Sequence, residues 1–126
     1  CNKKILSIHK MISTCLGRQD IMVEVERDLA VHRRRYRVLR HMNDHNNAHP
    51  FVSLERSELV SELNIEEGPL EECVRFLEEN MLLETVWFAG GEFWTKISQR
   101  GVDVVFNAEK HPDKGCNYFP PIKWFL

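Results

Sequence analysis

The chain has 126 residues, 43% of them apolar and 29% charged, which suits one domain and supplies one modest core. No run approaches the roughly 18 consecutive apolar residues of a membrane span, and the opening CNKKILSIHK lacks the apolar core and cleavage site of a secretory signal, so a cytoplasmic protein with no membrane partner is expected. The net charge of −2 conceals a polarity: residues 1–40 hold ten basic against four acidic side chains, residues 41–84 two against eleven, and residues 85–126 five against four, a pattern that predicts one basic and one acidic surface.

In chain order, KKILSIHKMISTCL (residues 3–16) places Ile5, Ile8, Ile12 and Leu16 at helical spacing, with Gly17 as its stop. DIMVEVERD alternates Ile21, Val23 and Val25 with Met22, Glu24 and Glu26. That suits a strand, or the start of a long helix running on through LAVHRRRYRVLRHMNDHN. Good helix formers downstream and the lack of an intervening turn residue favour the helix, which Pro50 ends, with Asn46 and Asn47 suited to its last turn.

FVS then reads as a short β segment with Ser53 as a helix cap, followed by a helix over residues 54–63 burying Leu59, Val60 and Leu63. NIEEG is a turn. Pro69 suits the first helical position of residues 69–80, where Leu70, Cys73, Val74, Leu77 and Met81 form one apolar stripe. Leu82 to Phe88 is a strand, AGGE a hairpin turn and FWTKIS the returning strand. SQRGVDVVFN is a helix capped by Ser98 and burying Val102, Val105 and Phe106. The last segment, HPDKGCNYFPPIKWFL, has three prolines and a glycine and reads as irregular or extended.

This order of elements resembles the winged helix-turn-helix domain over residues 34–107. The resemblance lies in VSLERSELVSELNI, similar to the second-helix segment of such domains. It lies also in VRFLEENMLLE, similar to their exit from the third helix, and in TKISQRGVDVV, similar to the strand-to-helix step after the wing. The glycine usual at the third-helix exit is replaced around Asn80, a residue that tolerates the left-handed backbone conformation. MarR-like and PadR-like regulators are nearest in pattern. The resemblance implies a mainly α fold with a small β-hairpin wing, and a dimeric DNA-binding regulator. The expected divisions are an N-terminal helical extension over residues 1–33, the winged helix over 34–107 and an extended apolar tail over 108–126.

By resemblance, the helix of residues 69–80 is the one that reads base edges. Yet the stretch from Ile65 to Glu84 carries seven glutamates and one arginine. Duplex DNA presents a negative charge every ~1.7 Å, so this face opposes the role. The basic run HRRRYRVLR offers Arg33, Arg34, Arg37 and Arg40 for phosphate contact, aided by Arg75, Lys96, Arg100 and Lys110. The alternative is that these arginines pair with the acidic third helix, in the same or another subunit.

Trp94 on the wing and Phe119, Ile122, Trp124 and Phe125 in the tail are candidate partner contacts, because large apolar side chains dock on their own domain or bury in a partner. The readings that follow are therefore double-stranded DNA through the basic helix and wing, with a homodimer, or a protein-interaction module on the same scaffold. His41, His45 and His49 recur every four residues, but a polar helix end accounts for them and no metal is expected. Cys1, Cys15, Cys73 and Cys116 match no common zinc spacing and read as free thiols, Cys73 in the core. No phosphate loop, nucleotide fingerprint or nucleophile motif occurs, so neither enzyme nor cofactor is expected.

Overall fold

The computed structural model describes the backbone of residues 18–126 and the side chains from residue 27 onward. The helix expected over residues 3–16, and Cys1 and Cys15, lie outside the described residues. Arg18–Ala48 is one helix of 31 residues, α1, roughly 46 Å long at 1.5 Å per residue. The strand-like alternation of DIMVEVERD is thus overridden, since helix propagates through β-branched residues once neighbouring turns are formed. Tyr36, Leu39 and Met42 repeat every third residue and are buried with Val38, while Leu29 packs at the edge.

Beyond Pro50 the chain forms β1 (Leu54–Glu55), α2 (Arg56–Leu63), α3 (Glu67–Glu79), β2 (Leu83–Trp87), β3 (Phe93–Ile97) and α4 (Gln99–Lys110). The strands make one antiparallel sheet in the order β1–β3–β2. Val86 lies opposite Trp94, and Leu54 opposite Thr95. This is the winged helix-turn-helix architecture: α2 and α3 form the helix-turn-helix pair, and the β2–β3 hairpin is the wing. Its tip carries Gly90 and Gly91, both at φ 82°, a conformation that L side chains rarely adopt. The inner face of the sheet buries Leu83, Phe93, Thr95 and Ile97 against the helices. Thr95 is satisfied there by the Thr85 hydroxyl at 2.8 Å.

Several local expectations are corrected. Ser53 does not cap α2: the strand takes Leu54 and Glu55, Glu55 stands at the cap with no side-chain hydrogen bond, and the helix starts at Arg56. Helix α3 starts at Glu67, so Pro69 is its third residue; a missing N–H costs nothing there, because the first backbone donors of a helix have no internal acceptor. Met81 leaves the apolar stripe and is 63% exposed, and Phe106 is 62% exposed. Val105 and the half-buried Val102 and Val104 carry the contact of α4. Ser98 caps α4 as expected, accepting from the Gly101 N–H at 3.1 Å.

The exit from α3 sets where the wing begins. Leu82 N–H donates to Leu77 carbonyl at 2.8 Å and Met81 N–H to Glu78 carbonyl at 2.9 Å. These are the paired bonds of a Schellman motif, completed by the buried contact side chains Leu77 and Leu82. The left-handed residue is Met81, at φ 62°, not Asn80. Asn80 instead donates from its side chain to Phe76 carbonyl at 2.8 Å. Ser98 then ties the far end of the hairpin to this exit, its N–H donating to Leu82 carbonyl at 3.1 Å and its hydroxyl to Met81 carbonyl at 2.6 Å.

The tail folds back on its own chain. Phe119 sits edge-on to Tyr36 at 5.6 Å and near Phe76 at 6.3 Å, and Phe125 lies 6.0 Å from Tyr36. A turn closed from Cys116 N–H to Phe119 carbonyl at 2.8 Å and a bond from Lys123 N–H to Pro112 carbonyl at 3.0 Å hold the path, which ends in a short 3-10 turn, Ile122–Trp124. Helix α1 runs unbroken through residues 33 and 34, and the tail shares its core.

A Cβ at Gly101 would fall far inside contact distance of the Leu82 carbonyl oxygen and 2.7 Å from Ile97 Cγ1. Gly101→Ala is therefore expected to destabilise by about 1–3 kcal/mol in chemical denaturation. Met81→Gly is expected to stabilise by about 1 kcal/mol in the same assay, by relieving a left-handed side-chain-bearing residue.

Candidate nucleic-acid interface

The basic run of α1 divides by partner. Arg35 leaves the group: it pairs with Glu72 of α3, with Nε at 2.8 Å from the carboxylate, and its guanidinium lies 3.9 Å from the centre of the Phe76 ring. Arg40 pairs with Glu109 of α4 at 3.3 Å. Arg33 donates from Nε to the Phe125 carbonyl, and Arg37 from Nη2 to the Leu63 carbonyl at 3.2 Å. Arg34 is half-buried and, among the described residues, has no hydrogen-bond or ion-pair partner.

Arg33, Arg34 and Arg37 thus differ from Arg35, Arg40, Arg56 and Arg75: none of the three is neutralised by a carboxylate in an ion pair. They line one groove of about 400 Å³ where α1 meets the α2–α3 turn, together with Asn64, Ile65, Glu66 and Pro69. The geometry follows from α1, since Arg34 and Arg33 lie three and four residues before Arg37 and so share its helix face, and from Asn64, whose left-handed backbone (φ 53°) turns the chain towards α3. Glu66 is the carboxylate on the groove wall.

Helix α3 presents the opposite charge. Its outward residues include Glu71, Glu78 and Glu79, and the exposed Arg75 is already engaged by its neighbours. Arg75 pairs with Glu71 at 2.9 Å and stacks 4.2 Å from the centre of the Trp87 ring. The Trp87 indole N–H donates to Glu78 at 2.9 Å. The face that would read bases is therefore cross-linked to the wing by its own side chains. Lys96 pairs with Glu84 across the hairpin at 3.7 Å, Arg100 lies 3.8 Å from Met81 Sδ, and Lys110 sits 5.7 Å from the Phe106 ring. Arg56 was not singled out in the sequence, yet it joins Glu92 at the wing tip to Glu67 at the start of α3, the latter at 3.7 Å. No local signal marks it, because its two partners lie on different elements.

Of the expected partner contacts, Phe119, Ile122 and Phe125 are buried within this chain, Trp124 is half-buried, and Trp94 is 51% exposed. Trp94 stands edge-on to Phe88 at 5.1 Å, and Val86 beside it is also exposed. The histidines of α1 do not converge: His41 bonds Glu62 at 2.8 Å, whereas the His45 and His49 rings lie 5.3 Å apart. Among the described residues no group of three or more metal-ligating side chains is arranged to hold an ion. Burial pushes the Cys73 thiol up to about 12, as suits a thiol packed in the core.

No protein-family model matches this sequence, and no curated protein matches it. Among solved structures, one described as "Crystal Structure of MarR" is similar, at 20% identity over 75% of this chain and 72% of that one, with a TM-score of 0.43. The winged-helix architecture stands on the element order and sheet register described above. No helix among the described residues is long and apolar enough to cross a membrane.

The tail makes one side of this region pH-sensitive. His32, on α1, lies 6.3 Å from the Phe119 ring, and burial, with Arg35 nearby, lowers its pKa below the ordinary 6.5. Its Nδ1 is buried without a partner. The folded chain therefore binds this proton more weakly than the unfolded chain. The stability it contributes is full above pH 6.5 and is lost as the pH falls below that value towards the depressed one. The melting temperature is expected to drop on acidification across this window, and to drop less in His32→Gln, as followed by circular dichroism.

Proposed function

We propose that this chain is a DNA-binding winged-helix protein, a dimeric transcriptional regulator of the cytoplasm, that holds the phosphate backbone through the α1 groove instead of reading bases with α3. The observation that carries the reading is the groove itself: three arginines, none ion-paired, on one wall of the helix-turn-helix unit. Arginine is suited to such contact, because its planar fork of donors meets phosphate oxygens in pairs. The Nε of Arg33 and one Nη of Arg37 are held by carbonyl oxygens, which orients each guanidinium and leaves other donors for phosphate. Helix α3 adds repulsion, since its outward carboxylates would face the duplex at close range. Arg40, Arg75 and Lys96, whose charges are already paired, contribute less, and Arg100 stands apart near Met81. The assignment of DNA as ligand leans on what winged helices commonly do.

A second reading, a protein-interaction module, is favoured by the exposed apolar side chains Val86, Phe88 and Trp94 on the wing.

Titration of a labelled non-specific duplex at two salt concentrations separates the two. Three phosphate contacts predict a slope of log affinity against log salt of about −3. Arg33→Gln/Arg34→Gln/Arg37→Gln is expected to lose binding while keeping its circular dichroism spectrum. Arg40→Gln, already paired with Glu109, is expected to change affinity little. Absence of binding by the wild-type protein at low salt sinks the DNA reading.

A further inference from the structure

The wing has an open edge. In the hairpin, Phe88 N–H donates to Glu92 carbonyl at 2.8 Å and Ser98 N–H to Leu82 carbonyl at 3.1 Å. Antiparallel pairs alternate between hydrogen-bonded and non-bonded, so Glu84, Val86 and Phe88 direct their backbone groups to β3. The close approach of Thr85 and Thr95, 2.8 Å between hydroxyls, is that of a non-bonded pair. The N–H and C=O of Thr85 and Trp87 therefore point away from β3. The sheet order β1–β3–β2 leaves β2 at the border, and these groups have no backbone partner among the described residues. Unpaired edges of this kind are templates for another strand. Beside this edge, on the outer face of the sheet, lie the exposed side chains of Val86, Phe88 and Trp94, with Phe88 and Trp94 in contact.

We propose that the occupant of this edge is β2 of a second copy of the chain, paired antiparallel about a twofold axis at Val86. The free groups admit this register, and side chains select it: a twofold at Thr85 would set Val86 against Glu84 of the second copy, and one at Trp87 would set Thr85 against Ala89 of the wing turn. With Val86 opposite Val86 of the second copy, each Thr85 faces Trp87 of the other copy, and these are the residues whose donors and acceptors point outward, so both partners are satisfied reciprocally. A register moved by one residue at either end would set outward-pointing groups against inward-pointing ones. The same twofold keeps both outer faces on one side of a continuous six-stranded sheet. One row across it then reads Trp94, Val86, Val86, Trp94, so the exposed apolar patches of two copies merge.

Charge does not oppose the arrangement. The one ionised residue of β2, Glu84, is paired with Lys96 of its own hairpin and falls opposite Phe88 of the second copy. The two Glu84 side chains lie four residues apart along the strand direction, roughly 13 Å, beyond a Debye length of ~8 Å at physiological salt. The contact is isologous and closes at two copies. It supplies the contact for the dimer proposed above but shares no residue with the arginine groove, so DNA contact and dimer contact can be tested separately.

The test is the mass of the full chain in solution, by light scattering and sedimentation across a wide concentration range, with hydrogen exchange of the Thr85 and Trp87 amides. A dimer is expected, with slower exchange at both amides as concentration rises. Val86→Lys, which sets two like charges face to face across the axis, is expected to be monomeric. So is Thr85→Pro, which removes an outward donor while leaving the backbone bonds to β3 in place; the Thr95 hydroxyl loses Thr85 but keeps the Glu84 carbonyl as acceptor at 3.3 Å. Phe106→Ser, exposed elsewhere on α4, and the Arg33/Arg34/Arg37 glutamine variant are expected to remain dimeric. A wild-type chain that stays monomeric throughout overturns the proposal. A dimer that survives both strand substitutions, or that leaves the two amides unprotected, overturns it equally.

Discussion

The architecture hangs on the carbonyl oxygen of Leu82. It accepts from the Ser98 N–H at 3.1 Å, and Gly101 packs against it so closely that no side chain fits. Four elements meet there: α3 ends in the Schellman turn whose last residue is Leu82, β2 begins, β3 ends, and α4 starts under the Ser98 cap. A backbone acceptor shared this way leaves little freedom in the angle between hairpin and helices. The wing is thereby tied to α3 and α4 at its base, which orients its outer face and free edge relative to the core.

Around that junction, charge is distributed by what each helix must bury. Helix α3 spends Leu70, Cys73, Val74 and Leu77 on the core, which leaves its carboxylates outside. There they are taken up in part by arginines: Glu72 by Arg35 of α1, Glu67 by Arg56 of α2, and Glu71 by Arg75 of α3 itself. Exposed pairs of this kind contribute little individually, but two of these arginines also lie over aromatic rings, Arg35 on Phe76 and Arg75 on Trp87, and cation–π contact adds to the packing. The arginines left over, which flank Arg35 on α1, are those that collect at the α2–α3 turn. The basic groove is thus the remainder after internal pairing.

The tail completes the α1 surface. Tyr36 is fully buried only because Phe119 and Phe125 cover it, and burial pushes its phenol up to about 12. The docked tail also supplies the carbonyl that orients Arg33, so the groove and the tail are mechanically connected through one side chain.

Much of this fold was legible in the residues. Periodicity of 3.6 located α2, α3 and α4, the Gly-Gly pair located the wing tip, and Ser98 declared its own helix, because each signal is local and its physics acts within a few residues. The winged helix-turn-helix order followed from them. What failed locally was small and had tertiary causes: Ser53 lost its cap to a strand that exists only because β3 lies beside it, and Met81 took the left-handed position, a cost accepted where Leu82 must reach Leu77. The candidate site was less legible. A helical wheel could group arginines by angle, but it could not tell which would find a carboxylate. Sequence by itself determined that α1 is basic, that α3 is acidic on its free face, and that the tail is too apolar to remain in water. Only the tertiary structure decided which arginines stay unneutralised, and that the tail buries itself in its own chain, because ion pairing and burial depend on which surfaces come within a few ångströms across residues far apart in the chain.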